Sequence, residues 1–315
     1  MPTRPFRAAD AGAWAALQSA GTGQPITAEA LLADEARRHP PHFSRRWVQE
    51  ESGHVVGVAH LYFFPFDPPE FLHVALQVQP SARGRGVGRA LWATAQEAAR
   101  EQGVGLAASV DDTDAESLNW AAKRGFVQHA HRFASELNLT TFDAAAHAPA
   151  LANASAQGVT FTDLADADAA TLERYLNFVA DRLTETPDLA GLPRWPLEQV
   201  REMLRLDGTP DFPARPDWLI LALAPDGTWL GTTAMIRFRT RPVLYNELTA
   251  VMPQARGRGL ALPLKLQAIA RAQAEGYALM RTNNLSTNAP MLRVNHQLGF
   301  VPQPGRFELH LSRLS

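Results

Sequence analysis

Arg256-Gly257-Arg258-Gly259-Leu260-Ala261 is the glycine-rich stretch that decides the fold of this chain. A β-prone segment from Leu244 to Val251 precedes it, and the residues from Ala261 to Ala274 carry apolar side chains at helical spacing. The glycines are therefore expected in a turn between a strand and a helix. Such a turn presents unpaired backbone N–H groups at the positive end of a helix dipole, which favours the binding of a phosphate group.

Two arginines stand between the glycines of this turn. Arg256 and Arg258 add positive charge, and a guanidinium group can donate two parallel hydrogen bonds to a phosphate. The spacing differs from that of a Walker A loop and from the Gly-x-Gly-x-x-Gly fingerprint of dinucleotide-binding folds. The turn therefore predicts a site for a phosphate-containing ligand of another kind.

The same pattern occurs earlier in the chain. Arg83-Gly84-Arg85-Gly86-Val87-Gly88 also lies between a β-prone and a helical segment, and Arg256 follows Arg83 by 173 residues. The pairs Gly125-Phe126 and Gly299-Phe300 recur 174 residues apart. With a length of 315 residues, the repeat predicts a first domain at 1–142, a linker at 143–157 and a second domain at 158–315.

Each half has the same predicted order of elements. A strand, a helix and a long connection come first, followed by strand pairs, of which the one around Asp226-Gly227 is typical of a hairpin. After the glycine turn, each half predicts a helix, a strand, a second helix and a last strand. We expect an α/β (α+β) fold in which each domain has a mixed, mostly antiparallel sheet flanked by helices.

The composition is that of an ordinary globular protein, with 46% hydrophobic and 20% charged residues. Because Lys+Arg 30 nearly balance Asp+Glu 32, we expect neither a nucleic-acid partner nor binding to an anionic membrane. The chain has no cysteine, which excludes a cysteine nucleophile and a thiolate zinc site, and its scattered histidines predict no metal site. Without a signal peptide or a long apolar run, we expect a cytoplasmic protein.

The pattern Arg-x-x-Gly-x-Gly/Ala between a strand and a helix, with Gly-Phe about 40 residues later, resembles the acyl-CoA-binding core of the GNAT superfamily of N-acetyltransferases. Both halves resemble it, so the chain is similar to tandem GNAT proteins. The resemblance implies that acetyl-CoA is the co-substrate and that no metal is needed. It also implies direct transfer of the acetyl group to the amine of a small-molecule acceptor, without a covalent intermediate.

The resemblance assigns residues to the acetyl-CoA site. GNAT enzymes hold the pantetheine arm between the strand before the glycine turn and the next strand, and many members have an asparagine eleven residues before the Gly of Gly-Phe, where this chain has Asn288. The first half has Asp114 at that position. The expected cofactor-binding residues are Ala250, Val251, Arg256, Gly257, Arg258, Gly259, Leu260, Ala261, Asn284 and Asn288 in the second half, and Val78, Arg83, Gly84, Arg85, Gly86, Val87 and Gly88 in the first.

Two residues of the second half are candidates for catalysis by the same resemblance. Glu247 lies on the strand before the turn, where GNAT general bases are often carboxylates, and the repeat aligns it with Val74, beside His73. Many members have a tyrosine four residues before the Gly of Gly-Phe that protonates the leaving thiolate, but this chain has Ala121 and Asn295 there. Since a thiol has an unperturbed pKa near 8.5, a hydrogen bond donated by Asn295 could suffice.

Three interpretations follow from these residues. The first is an N-acetyltransferase whose second domain is catalytic. The second is a chain with one active domain and one acyl-CoA-binding domain of structural or regulatory role, and the third is a non-catalytic acyl-CoA sensor. We expect a monomer in which the two domains pair as the subunits of a homodimer would. The long connection from Arg182 to Pro216 is expected to shape the acceptor pocket, with Asp188, Arg194, Trp195 and Glu198 facing the substrate.

Overall fold

The computed structural model describes residues 3–22, 25–38, 43–64, 67–187, 189, 191–238 and 241–312. The chain divides into two compact units. The first consists of residues 1–130 together with 306–315, and the second consists of residues 131–305. Asp188, which the sequence places in the acceptor pocket, lies outside the described residues.

The first unit contains a mixed sheet and its helices. Its strands follow the order β1-β2-β3-β4-β5 in the sheet, and β4 and β5 are parallel whereas the other neighbouring strands run antiparallel. The elements are β1 (Thr3–Pro5), α1 (Ala11–Thr22), α2 (Ala28–Arg38), β2 (Ser44–Glu51), β3 (His54–Tyr62), β4 (Phe71–Val78), α3 (Val87–Gln102), β5 (Gly105–Asp111) and α4 (Ala115–Ala122).

The second unit repeats this arrangement. Its strand order is β7-β8-β9-β10-β11-β6, with β10 and β11 parallel. The remaining elements along the chain are β6 (Val127–Asn138), α5 (Ala148–Ala156), β7 (Thr160–Asp163), α6 (Ala169–Leu183), α7 (Leu197–Met203), β8 (Leu219–Leu223), β9 (Trp229–Phe238), β10 (Arg241–Val251), α8 (Ala261–Ala274), β11 (Leu279–Leu285), α9 (Ala289–Gln297) and β12 (Val301–Leu311), the last of which continues from the second unit into the first. The prediction of a mixed, mostly antiparallel sheet flanked by helices is confirmed.

Each sheet receives its last strand from the other sequence repeat. Residues 306–311 of β12 pair with β5 in the first unit, and residues 132–138 of β6 pair with β11 in the second. The boundaries expected at 142 and 158 follow the sequence repeat, whereas the compact units follow these strand pairings. The alanine-rich segment expected as a linker contains α5, whose Ala154 is buried.

The cores form where amphipathic helices cover the sheets. The helix α6 buries Tyr175, Leu176, Val179, Ala180 and Leu183, which recur every three or four residues and so share one face. This face packs against Leu219 and Leu221 of β8. Each fully buried leucine contributes about 1.5–3 kcal/mol relative to an exposed one, so this apolar face fixes the position of the helix.

Candidate functional site

The strand before each glycine turn separates from its parallel neighbour. In the second unit, β10 pairs with β11 only at Leu244↔Met280 and Tyr245↔Arg281, although β10 continues to Val251. In the first unit, the pairing of β4 with β5 ends at His73↔Ala107, although β4 continues to Val78. Each unit therefore has a V-shaped opening beside the strand that leads into the glycine turn.

A β-bulge lies just beyond the point where β10 and β11 separate. Asn246 pairs with Met235 and Leu248 pairs with Ala234, so Glu247 is the extra residue of the bulge. The hydroxyl of Thr282 donates a 3.0 Å hydrogen bond to the backbone oxygen of Asn246 and closes the narrow end of the opening. Bulges redirect side chains, and this one places Glu247 between the narrow end and the glycine turn.

Glu247 has a perturbed acid–base equilibrium. Its side chain is partly buried, and this burial raises its pKa to about 7, while the positive charge of Arg205 opposes the rise. A carboxylate with a pKa near the ambient pH is well suited to act as a general base. The structure thus gives the predicted base an environment consistent with that role.

A buried polar network lies on the other face of β10. Lys265 of α8 donates a 2.5 Å hydrogen bond from Nζ to Oδ1 of Asn246, and Nδ2 of Asn246 donates to Oγ1 of Thr233 at 2.8 Å. Lys265 is only 2% exposed, and its burial lowers its pKa to about 7. The sequence did not lead us to predict this network. The feature that could have indicated it is a lysine between Leu264 and Leu266, in a chain with only one other lysine.

The glycine turns lie between a strand and a helix, as the sequence predicts. Gly84, Gly86, Gly257 and Gly259 have φ values of 73°, 89°, 76° and 77°, in the left-handed region that favours glycine. A Cβ atom placed on Gly84, Gly86 or Gly257 would meet no atom within 4 Å among the described residues. The backbone conformation therefore requires these glycines, and the space beside them is open to a ligand.

The arginines of the two turns are held in the same way. Nε of Arg83 donates to the oxygen of Val78, and Nε of Arg256 donates to the oxygen of Val251. Arg256 also pairs with Glu185 at 2.5 Å, although its side chain is 55% exposed. Exposed ion pairs of this kind are worth about 0–1 kcal/mol, so a phosphate group can compete for the guanidinium.

The second arginine of each turn also has a protein partner. Arg258 donates to Oε1 of Gln157 at 3.0 Å, and Arg85 pairs with Glu51. The helices begin directly after the turns, and Ala90 is the first residue of α3 whose N–H reaches the carbonyl four residues back, that of Gly86. The N–H groups before it have no carbonyl partner within the helix, as at any helix N-terminus.

The predicted asparagines occupy defined positions. Nδ2 of Asn284 donates to Oγ of Ser135 at 2.9 Å, and Oδ1 of Asn284 accepts a 2.7 Å hydrogen bond from Nδ2 of Asn295. Asn295 is 2% exposed, and its Oδ1 has no hydrogen-bond partner among the residues that the structure describes. We expected Asn295 to donate to the thiolate. One of the two N–H groups on Nδ2 is used by Asn284, so donation of the other to a thiolate stays a prediction.

Asn288 and its counterpart both cap helices. Oδ1 of Asn288 accepts from the backbone N–H of Met291 at 3.4 Å at the start of α9, and Asp114 accepts from Ser117 at 3.0 Å at the start of α4. This capping uses the side-chain oxygen of Asn288. A contact between its amide nitrogen and acetyl-CoA stays a prediction.

The connection before β8 lines a cavity that the sequence analysis did not locate. Trp195 packs into the apolar core and Arg194 donates to Asp181, while Glu198 is exposed on α7. The cavity, of about 370 Å³, lies beyond α7 and is lined by charged and aromatic side chains: Glu202, Arg205, Asp207, Phe212, Arg237 and Phe238. Arg205 is therefore shared between the cavity and the surroundings of Glu247.

The described part of the chain contains no group of three or more histidine, aspartate or glutamate side chains that could hold a metal ion. None of the described helices is both long and apolar enough to cross a membrane.

The chain resembles known proteins in sequence over part of its length and in structure over nearly all of it. Residues 13–126 match the sequence model of the acetyltransferase (GNAT) family. A comparison with curated protein sequences found no match. The solved structure of a GCN5-related N-acetyltransferase from Sphaerobacter thermophilus has a TM-score of 0.69 and 18% sequence identity, covering 98% of this chain and 95% of that one.

Two other solved structures are similar over the same length. A tandem GNAT protein from the clavulanic acid biosynthesis pathway has a TM-score of 0.68 and 22% identity, and the alignment covers 98% of both chains. The glucosamine N-acetyltransferase region of a fungal multi-domain GH3 β-N-acetylglucosaminidase has a TM-score of 0.73 and 16% identity, covering 98% of this chain and 38% of that one. Residues 13–126 thus match the GNAT family, and the fold of nearly the whole chain is similar to that of these acetyltransferase structures, a tandem GNAT protein among them.

Proposed function

We propose that the second unit transfers an acetyl group from acetyl-CoA to the amine of a small molecule, with Glu247 as the general base. The observation that carries this proposal is the position of Glu247. It lies on a bulge of β10 beside the V-shaped opening, and the rest of β10 leads from it to the glycine turn. Burial raises the pKa of its carboxyl to about 7, which makes the carboxylate a stronger base than an exposed one while about half of it is ionised at pH 7.

The open features of the second unit fit acetyl-CoA. The glycine turn and Arg256 would bind the diphosphate, and the edge of β10 at Ala250 and Val251, which β11 does not pair, would hold the pantetheine arm. The buried Oδ1 of Asn295 would accept a hydrogen bond from an N–H group of that arm. When bound, acetyl-CoA supplies a thioester whose carbonyl carbon is open to attack.

The reaction needs few groups of the protein. The neutral amine attacks the thioester carbonyl, a carbon–nitrogen bond forms, the carbon–sulfur bond breaks, and the amine proton passes to the carboxylate of Glu247. The sulfur leaves as a thiolate, which is stable enough near neutral pH to depart with assistance from a hydrogen bond or water. We assign no catalytic step to the first unit, because no residue of β4 occupies a bulge equivalent to that of Glu247.

Acetyl transfer is tested by incubating the purified protein with acetyl-CoA and a panel of small amines, alcohols and thiols. Release of the CoA thiol is followed with a colorimetric reagent, and the products are identified by mass spectrometry. We expect thiol release that depends on an amine and yields the N-acetyl product. Release that is independent of the acceptor, or acetylation of hydroxyl groups alone, would contradict the proposal.

A further inference from the structure

The cavity beyond α7 contains two arginines that form no ion pair among the described residues. The guanidinium of Arg205 lies 5.4 Å from the ring centre of Phe238, and that of Arg237 lies 4.4 Å from the ring centre of Phe212. Neither arginine forms an ion pair within the described residues, and Nε of Arg237 is buried there without a hydrogen-bond partner. Stacking on a ring orients a guanidinium but leaves its N–H donors available for an anion.

Arg205 also has an unusual backbone conformation. Its φ of 57° lies in the left-handed region, and Ser52 in the β2–β3 turn is the other non-glycine residue with positive φ in the described parts of the chain. Arg205 follows the last turn of α7, where the N–H of Leu206 bonds to the oxygen of Arg201 and the N–H of Arg205 bonds to that of Glu202. This is the Schellman motif, whose left-handed position is usually a glycine.

Arg205 therefore occupies a backbone position at which any side chain lowers the stability of the fold. A glycine would adopt the same backbone without the clash between Cβ and the carbonyl oxygen. Strained non-glycine residues concentrate at ligand sites, and here the strain coincides with a cavity and an unpaired charge. These independent observations point to a function of the guanidinium group.

We propose that the cavity binds an anionic group of the acceptor through Arg205 and Arg237, and that the acceptor is an amine carrying a carboxylate. Glu202 and Asp207 also line the cavity, so their charge opposes a doubly charged phosphate more than a singly charged carboxylate. The inference rests on the proposed acetyl transfer in one respect: it takes the bound ligand to be the acetyl acceptor. The acceptor would then extend from the cavity toward Glu247, because Arg205 is close enough to Glu247 for their charges to interact.

The test compares binding of acids with that of their uncharged amides in the presence of CoA. Isothermal titration calorimetry is performed with N-acetylalanine, N-acetylphenylalanine and 4-acetamidobutyrate, each paired with its amide, and with N-acetylated phosphoethanolamine. We expect at least one acid to bind about tenfold or more tightly than its amide. The preference should fall below about threefold in Arg205→Gly, whose melting temperature should equal or exceed that of the wild type.

Arg174→Gln is the matched control, because Arg174 of α6 stacks on Trp229 and does not line the cavity. It removes the same charge and should leave the preference unchanged. Acids and amides that bind alike, or that do not bind at all, would overturn the inference, as would a preference that survives in Arg205→Gly. Tighter binding of the phosphate compound would overturn the choice of a carboxylate.

Thiol release with the free amines then separates this inference from the proposed function. If the acids bind through Arg205 but no amine supports thiol release, acetyl transfer fails and the anion site stands. If amines are acetylated with no preference for those carrying a carboxylate, acetyl transfer stands and the anion site fails.

Discussion

The two units differ most where the strands beside the glycine turn separate. In the first unit, Trp92 of α3 packs against the phenylalanine of the Gly-Phe pair, with its ring centre 5.6 Å from that of Phe126. In the second unit, the residue at the same place in the repeat is Lys265, whose Nζ lies 5.0 Å from the ring centre of Phe300. The phenylalanine thus contacts an apolar side chain in the first unit and a buried lysine in the second.

The strand beside this contact differs in the same sense. The residue after the last β4–β5 pair is Val74, which belongs to the apolar core, whereas the residue after the last β10–β11 pair is Asn246, which bonds to Lys265. The repeat aligns Glu247 with Val74, but the strand pairing shows Glu247 to be an extra residue without a counterpart in β4. The second unit therefore has buried polar groups beside its opening where the first unit has an apolar core, and such locally destabilising groups are common at functional sites.

The largest effect that this comparison predicts is that of Glu247→Gln. The amide cannot accept the proton of the amine, so turnover should fall about 100-fold or more while the affinity for acetyl-CoA stays the same. Since the wild-type carboxyl has a pKa of about 7, wild-type turnover should rise with pH through that value, and the variant should lack this rise. Steady-state kinetics from pH 5.5 to 9 and a direct acetyl-CoA titration measure both effects.

Glu97→Gln is the control for this experiment, because Glu97 is exposed on α3 of the first unit, to which no catalytic step is assigned. It should leave turnover and its pH dependence unchanged. Wild-type turnover in the Glu247→Gln variant would show that Glu247 is not the general base, and that this difference between the units has no catalytic role.

The next effect concerns stability and the buried Lys265. Its pKa is about 7 in the folded chain and about 10.4 when unfolded, so the cost of burying it is full below pH 7 and disappears as the pH rises toward 10.4. Lys265→Met, which makes this place apolar as in the first unit, should stabilise the fold by about 2 kcal/mol at pH 7, because removing a burial cost of roughly 4–5 kcal/mol is partly offset by leaving the oxygen of Asn246 without its hydrogen bond. Denaturant unfolding at several pH values should show this difference shrinking toward pH 10.

The chain provides its own control, because Lys123 is the other lysine and is exposed. Lys123→Met should change stability little at any pH. A Lys265→Met variant that is no more stable at pH 7 than at pH 10 would show that Lys265 is accommodated without cost, and that the second unit does not sacrifice stability at its opening.

A third prediction asks whether both glycine turns bind acetyl-CoA. The turns share their φ values and the bond from arginine Nε to the preceding strand, so we expect two molecules of acetyl-CoA per chain. Arg83→Ala should weaken the first site about tenfold and Arg256→Ala the second, because each loses a charged donor to the diphosphate. Calorimetric titration of the wild type and both variants measures the stoichiometry and the two affinities.

Only Arg256→Ala should raise the KM for acetyl-CoA in the transfer reaction, since the proposed catalytic residue is in the second unit. A single binding event that only Arg83→Ala weakens would reverse the comparison, with the first unit as the functional site.

The features that the sequence predicted are those encoded over short distances. The strand, glycine turn and helix at Arg256 follow from neighbouring residues, and the duplication at Arg83 identified two units with one fold. The glycine turn is therefore recognisable from a few residues. The predicted turn is observed at Gly257 and Gly259, whose positive φ values glycine adopts readily.

The features that the sequence did not predict depend on distant partners. Residues 132–138 form a strand in either repeat, and only the pairing with β11 shows that they complete the second sheet. The bulge at Glu247 is defined by its partner strand β9, and the burial of Lys265 by Asn246 and Phe300. Arg205 resembles an ordinary surface arginine until its positive φ is known.

The smallest predicted effect exchanges one residue between the units. Asn288 and Asp114 both cap a helix through a side-chain oxygen, so Asn288→Asp should preserve α9, and the added charge is favourable at a helix N-terminus. The carboxylate cannot donate as an amide does, so the second site should bind acetyl-CoA about threefold more weakly if the amide contacts pantetheine. The melting temperature measures the cap, and calorimetry measures the contact. The reciprocal Asp114→Asn should tighten the first site by a similar factor, and unchanged affinity in both variants would leave Asn288 with capping alone.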